Sequence, residues 1–456
     1  MASPPPASGR PISKRPPERT AAVMAGANCD VAIVGAGLAG AAAAERLSGN
    51  GLKLAVIEAR SRTGGRGHAR PFTGGPDILD FGGSWITPWQ ARIRALCRHH
   101  GIALRPRHPV TARRWYRDGR LHHDTPVAAI DRARHESVLA RMAGHSALLK
   151  AGQTRDHHGF DFTSLTLAAY LDCLAPPAAT RDLISAWWTV SGNGDKARVP
   201  ASEFLHSISY HDGTPDGMCE VWADTLEGGV EELTRRMIAA SGASVLSEAT
   251  VTRIAWRKGG VRLDLANGKS MTANAAIIAA GLNPMAEIAF DPPLPSVKAD
   301  ARAAGHLGRA VKMWIKAEGV EPGILATGGG RAIEWMFAER RAKDGATLLV
   351  GFGVADGNWQ PALPRDAEEA LARFFPEARF IAADWHDWNS DPFARGTWVA
   401  SIAGKPEAHA ASTWRAEGPL AFASSDFARA EAGWFEAAAI SGEDAADAIR
   451  DHLKAP

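Results

Sequence analysis

Cysteine is scarce in this 456-residue chain: Cys29, Cys97, Cys173 and Cys219 are the only four, with no C-x-x-C and no paired spacing. That excludes a disulfide framework and a thiolate zinc site, and it fits a reducing compartment. No long apolar run is present. The longest, VAIVGAGLAGAAAA, is too short and too rich in glycine to span a bilayer. The first two dozen residues are rich in proline, serine and arginine and lack the apolar core of a secretory signal, so residues 1–27 read as a disordered tail. Neither sign of charge is in excess. With 52 Lys and Arg against 50 Asp and Glu, the net charge of +2 offers no footprint for nucleic acid or an anionic membrane. The expected compartment is the cytoplasm. Tyrosine is also rare, three against fifteen tryptophans.

The bulk composition is that of an ordinary soluble globular protein, 45% hydrophobic and 22% charged. Its length suggests about two to four domains. The stretch RAVKMWIK, residues 309–316, predicts a strand. Alternation places Val311, Met313 and Ile315 on one face and Ala310, Lys312, Trp314 and Lys316 on the other. Lys316 stands near the strand end, where its head can reach water. Lys312 is mid-strand among apolar neighbours, and a buried ammonium needs a partner.

Near the N-terminus, CDVAIVGAGLAGAAAAERLSGNGLKLAVIEAR predicts a strand over 30–34, a glycine turn at Gly35, Gly37 and Gly40, a helix over 41–47 and a second strand over 52–57. The first glycines allow backbone to approach a pyrophosphate, and the helix N-terminus faces its charge. Glu58, at the end of the second strand, is placed to accept from ribose hydroxyls and to repel a 2′-phosphate. A second loop follows at once in EARSRTGGRGHAR, with Arg60, Arg62, Gly64, Gly65 and Arg66. Further donors so close behind the first loop suit a larger, fully enclosed dinucleotide.

This run resembles the E-A-R-x-R-x-G-G-R signature of the flavin-containing amine oxidases. Further segments continue the likeness: LDFGGSWITPWQARIRALCRHHGI (79–102), TLEGGVEELTRRMIAASGASVLSEATVTRIAW (225–256), AAIIAAGLNP (275–284) and GPLAFASSDFARAEAGWFEAAAISGEDAADAIRDHL (418–453). Within that family the chain is most similar to bacterial monoamine-oxidase-like enzymes, including those acting on nicotine-type amines. The resemblance implies an α/β fold with a Rossmann-like FAD-binding domain of the glutathione-reductase type, drawn from 28–90, 223–299 and 385–456. A substrate domain of mixed sheet and helices, 91–222 and 300–384, would be inserted into it. FAD contacts are implied for Gly35, Gly37, Ala39, Gly40, Glu58, Ala59, Arg60, Gly65 and Arg66. Gly82, Gly83, Ser84 and Trp85 would run beside the isoalloxazine and Val251 beside the adenine. Trp388 would pack near the flavin ring, and Ser425, Asp426, Trp434 and Phe435 would complete the set.

The resemblance also gives Lys312 a reading. In most of these oxidases the matching lysine bonds through a water to flavin N5, so a flavin would supply the partner its burial demands. Thr397 stands where the mitochondrial enzymes carry their flavin-linking cysteine, which implies non-covalent FAD. Trp398 and Trp434 fall at the two walls of the family's aromatic cage, which attracts an alkylammonium by cation–π contact and lowers its pKa by desolvation. Two places depart from the pattern: Ser424 and Asp426 replace a glycine and a glutamate, and Ala437–Ala438 replace Gly-Ala.

The resemblance implies oxidation of a small-molecule amine to an imine, hydrolysed to aldehyde or ketone, with O2 or another acceptor reoxidising the flavin and hydrogen peroxide as product. An L-amino-acid oxidase or amino-acid monooxygenase is the second reading and needs an arginine in the pocket. A flavin-binding protein without turnover is the third. A homodimer is compatible with all three. The pairs His99–His100, His122–His123 and His157–His158 lack helical spacing with carboxylates, so no metal site is expected.

Overall fold

The computed structural model describes residues 28–454 apart from 124–125, 212, 216, 218–222, 329–331, 356–360 and 430. The expected tail 1–27 and Cys219 therefore lie outside the described residues.

The first strand, Cys29–Val34, is apolar on both faces apart from the half-buried Asp30 near its start, because both faces are covered. It pairs in parallel with Leu54–Ile57 on one side and with Ser270–Ile278 on the other, Val34 lying opposite Ile57 and Ile278. These are the central strands of an eight-stranded sheet. Ser270–Ile278 changes partner midway. Its first half pairs with Gly260–Leu265 and its second half with Leu420–Phe422, a strand that arrives from near the C-terminus. The alanine-rich helix Leu38–Leu47 packs against the C-terminal helix Phe435–Lys454 at backbone range. Gly442 makes the approach possible: a Cβ there would sit 2.1 Å from the Ala39 carbonyl oxygen.

A second sheet has seven strands, in the order Arg379–Trp385, Ala310–Glu318, Thr347–Val354, Trp335–Arg341, Ile324–Gly328, Ala112–Arg117 and Arg120–His122. The helices Arg132–Lys150, Leu167–Leu174, Ala178–Ser191 and Ala201–Ser209 contribute to the core on one face, with Trp314, Trp335, Phe337 and Phe352. On the other face Val311, Met313 and Ile315 pack against the helix Arg365–Phe374. The alternation read in RAVKMWIK thus separates two cores.

Lys316 departs from its expected exposure. It is 2% exposed, and its ammonium donates to the Gly74 carbonyl (3.0 Å) and pairs with Asp344. The loops carrying those two partners close over the strand end, a long-range arrangement that the local pattern does not encode.

Candidate active site

The glycine turn after the first strand is dictated by contact. At Gly40 a Cβ would lie 2.0 Å from the Gly35 carbonyl oxygen, so the helix can start this close to the strand only without a side chain. The second glycine loop touches the first: Gly37 and Gly64 form a parallel bridge, and a Cβ on Gly65 would stand 3.1 Å from the Gly37 Cα. Glu58 accepts from the N–H groups of Ala36 (2.7 Å) and Arg60 (2.8 Å), which leaves acceptor capacity on both oxygens for hydroxyl donors. Arg60 is held by Asp391 at 2.6 Å.

Arg66 ties this loop to the C-terminal segment. It donates to the Thr397 carbonyl (2.6 Å), to Ser425 Oγ (3.0 Å) and to the buried Asp426 carboxylate (2.6 Å). Burial pushes the Asp426 carboxyl up, but the charge of Arg66 and a bond from the Leu282 N–H outweigh it and hold the group at about 2.

A cavity of about 450 Å³ runs past these loops. Of the residues read from the sequence, Gly35, Gly37, Ala39, Glu58, Ala59, Arg60, Gly65, Arg66, Gly82, Gly83, Ser84, Trp85, Val251, Lys312, Trp388, Ser425, Trp398, Trp434 and Phe435 all line it. Gly40 and Asp426 do not; they stand behind the lining and shape it.

Lys312 is 7% exposed and lies on the cavity wall. Its ammonium donates to the carbonyls of Asp80 (2.7 Å) and Gly82 (3.0 Å) and to Ser84 Oγ. The partners that its burial demands therefore come from the chain itself. The Asp80 carbonyl also accepts from Trp314 Nε1 at 2.8 Å. Burial pulls the Lys312 ammonium down to about 8 and pushes the nearby Asp80 carboxyl up to about 7, each partly offset by the other's charge.

Trp398 and Trp434 are neighbours through Gly433, whose added Cβ would lie 3.3 Å from the Cβ of Trp398. Trp388 is anchored by its indole N–H on the Phe81 carbonyl (2.9 Å). The Thr397 hydroxyl accepts from Asn193 Nδ2 (2.7 Å) and from the Ala310 N–H (3.0 Å). Val190 and Ser191, at the end of the helix Ala178–Ser191, also line the cavity, in the stretch ATRDLISAWWTVSGNG whose pattern reads as an amphipathic helix walling a pocket; Phe352 in the second sheet lines it without such a signal.

The paired glycine loops, the free acceptor capacity of Glu58 and a cavity long enough to reach from them to a tryptophan-lined end fit a flavin dinucleotide. A family model, described as flavin containing amine oxidoreductase, matches residues 38–450. The chain belongs to this family.

Relatives similar to it include a pseudooxynicotine dehydrogenase from Pseudomonas sp, 24% identical, with 96% of this chain and 89% of the relative covered. The (S)-6-hydroxynicotine oxidase of Paenarthrobacter nicotinovorans is 26% identical over 92% of this chain and 99% of its own. Among solved structures, cyclohexylamine oxidase from Brevibacterium oxydans IH-35A superposes with a TM-score of 0.79 at 22% identity, covering 94% of this chain and 100% of that one. The fold is that of the FAD amine oxidases, and the protein is an FAD-dependent amine oxidase.

Two further placements bear on the sequence reading. His99 and His100, at the end of the helix Ala91–His99, meet Glu45 from the helix Leu38–Leu47, His100 lying 2.9 Å from its carboxylate. Spacing along one helix could not reveal the trio, because its acid comes from another; none of the three lines the cavity. Arg107 is buried against Trp85, Trp335 and Phe337 and paired with Glu339 at 3.2 Å, and it too is absent from the cavity wall.

Among the described residues, no helix is long and apolar enough to cross a membrane.

Proposed function

We propose that the substrate is an apolar monoamine without a carboxylate, oxidised in its neutral form. One observation carries this reading: each described charged side chain on the cavity wall has a protein partner, and its two arginines, Arg60 and Arg66, belong to the glycine loop read as holding the dinucleotide. Arg60 is held by Asp391, Arg66 by Asp426, Glu287 by Arg395, Lys312 by two carbonyls and Ser84, and Glu58 by two backbone N–H groups. That leaves no described wall arginine outside the dinucleotide loop to clamp an α-carboxylate, as the amino-acid oxidase reading requires. The wall also carries Trp85, Val190, Phe352, Trp398 and Trp434 beside the polar Ser191 and Thr397. Some of the names agree with such a substrate, those of the nicotine-type relatives and of cyclohexylamine oxidase, whereas other relatives are named for putrescine and for L-amino acids.

In this reading Trp398 and Trp434 form the cage. Their faces attract the alkylammonium on entry, and the apolar surroundings lower its pKa so that the nitrogen lone pair is free. FAD, held without a covalent link, supplies the hydride acceptor for the carbon next to nitrogen. Lys312 holds positive charge beside the Gly82–Ser84 segment, where a water or an electron acceptor would profit from it. The glycine loops, Glu58, Arg60 and Arg66 hold the dinucleotide, with Val251 at the adenine and Asp426 acting through Arg66. O2 is the proposed acceptor, with hydrogen peroxide as product, and the cytoplasm the proposed location.

The domain division follows the two sheets. Segments 28–90, 223–299 and 385–456 make the FAD-binding domain, and 91–222 with 300–384 the substrate domain. What supports it is that every strand of the eight-stranded sheet falls in the first set.

The test is an anaerobic titration with paired compounds, each amine beside its α-carboxylated analogue, read by bleaching of the flavin. Reduction by the amine alone is expected; reduction by the amino acid alone would overturn the substrate reading.

A further inference from the structure

We infer that Asn193 is a positioning residue of the active site: one buried side-chain amide fixes the cavity-lining helix end, the cage wall Trp398 and the start of the strand bearing Lys312 relative to one another. The inference rests on the reading of Trp398 as a wall of the substrate cage.

Asn193 is fully buried, two residues beyond the end of the helix Ala178–Ser191. Its Nδ2 donates to the Trp398 carbonyl (2.7 Å) and to Thr397 Oγ1 (2.7 Å), and its Oδ1 accepts from the Arg309 N–H (2.6 Å). The orientation of the amide is settled by chemistry. A backbone N–H can only donate and a carbonyl can only accept, so oxygen must face Arg309 and nitrogen Trp398. Both amide hydrogens are used. Thr397 Oγ1 also accepts from the Ala310 N–H (3.0 Å), so the hydroxyl extends the bracket onto the same strand.

Each end of this bracket is a part of the cavity. Val190 and Ser191 line it just before Asn193, Trp398 lines it, and Lys312 follows Arg309 by three residues. The segments meet at backbone distance because residue 308 is glycine. A Cβ there would lie 1.9 Å from the Trp398 carbonyl oxygen and 2.7 Å from Asn193 Nδ2. Asn193 holds the main chain of Trp398, and Gly433 leaves room beside its side chain: a Cβ at 433 would lie 3.3 Å from the Trp398 Cβ and 3.4 Å from its Cδ1. A buried, fully satisfied network of this kind specifies one arrangement, and a cage must be set to a fraction of an ångström to aim a carbon at its acceptor.

An aspartate at 193 has the same volume and can still accept from Arg309, but it turns an acceptor towards the Trp398 carbonyl. Alanine removes every bond. The experiment titrates the FAD-loaded protein with tetramethylammonium, a cation that the cage can bind and that lacks a lone pair for oxidation, and follows the flavin absorbance. FAD content and thermal melting are recorded alongside. Wild type is expected to saturate. Asn193→Asp and Asn193→Ala are each expected to raise the dissociation constant at least tenfold, and N193D to do so with FAD content unchanged, which a residue that only supports folding would not do. W398A is the reference. If W398A loses tetramethylammonium while N193D binds like wild type, Asn193 does not position the cage and the inference falls alone. If W398A also binds like wild type, the cage reading falls and takes the inference with it. Should N193A fail to hold FAD, the isosteric N193D decides.

Discussion

Lys312 serves three acceptors, the carbonyls of Asp80 and Gly82 and the hydroxyl of Ser84. Replacing it with methionine keeps the length of the side chain and removes this donor, while the Asp80 carbonyl keeps Trp314 Nε1 (2.8 Å) and the Gly82 carbonyl the Ser84 hydroxyl (3.4 Å). A fully orphaned buried polar group costs about 1–3 kcal/mol, so with these remaining donors K312M is expected to lose about 1–2 kcal/mol in urea unfolding at saturating FAD, together with most of its turnover. The pair with Asp80 has a pH signature. Lys312 is lowered to about 8, so between pH 8 and the usual lysine range the unfolded chain binds the extra proton and stability rises with pH. Asp80 is raised to about 7, so between the usual aspartate range and pH 7 the folded chain binds the extra proton and stability falls as pH rises. The contribution of the pair should therefore pass through a minimum near pH 7–8, and D80N should flatten its acid limb in melting curves. Lys312 was legible because a charge in the middle of an apolar alternation is a local anomaly. Lys316, two residues on, was misread as exposed because its cover comes from Gly74 and Asp344, far away in the chain.

At the scale of elements, two helices share one carboxylate. The helix Ala91–His99 has no acid in its first turn and no side-chain cap of its own. Glu436, in the first turn of Phe435–Lys454, accepts from its Arg92 N–H (2.9 Å) and Ile93 N–H (2.8 Å). A cap borrowed in this way also fixes where the C-terminal helix begins, and with it Trp434 and Phe435 at the cavity. Loss of an N-cap costs about 0.5–2 kcal/mol, so E436A is expected near the upper end and E436Q, which keeps the acceptor, below about 1 kcal/mol, by thermal unfolding. Tetramethylammonium affinity should fall further in E436A than in E436Q. The glycine loops and Glu58 could be read from the sequence because their spacing within one strand–turn–helix unit is the signal. Phe352 could not, since its local pattern says only strand, and the stretch holding Val190 and Asn193 could be read as a pocket-walling helix but not residue by residue. The cap role of Glu436 was hidden for the same reason, its partners lying on another helix.

For the molecule as a whole, the cofactor site is assembled from distant stretches of chain. Its wall includes Gly35 to Trp85, Ala249 to Val251, Lys312, and Trp388 to Ala438. A chain ending before Leu420 would lack the strand Leu420–Phe422, the loop that carries Ser425 and Asp426, and the helix that packs on Leu38–Leu47. Such a truncation is expected to retain no FAD after gel filtration, whereas the full chain should melt at a higher temperature with FAD than without it, in proportion to the logarithm of free cofactor. The partner switch along Ser270–Ile278 carries a further meaning for how the protein is made. The inner half of that strand waits for Leu420–Phe422, which is made about 140 residues later. At roughly 5–20 residues per second, the nascent chain spends roughly 7–30 s with an open sheet edge and an unfinished nucleotide cradle, and FAD can be captured only once that later segment has emerged.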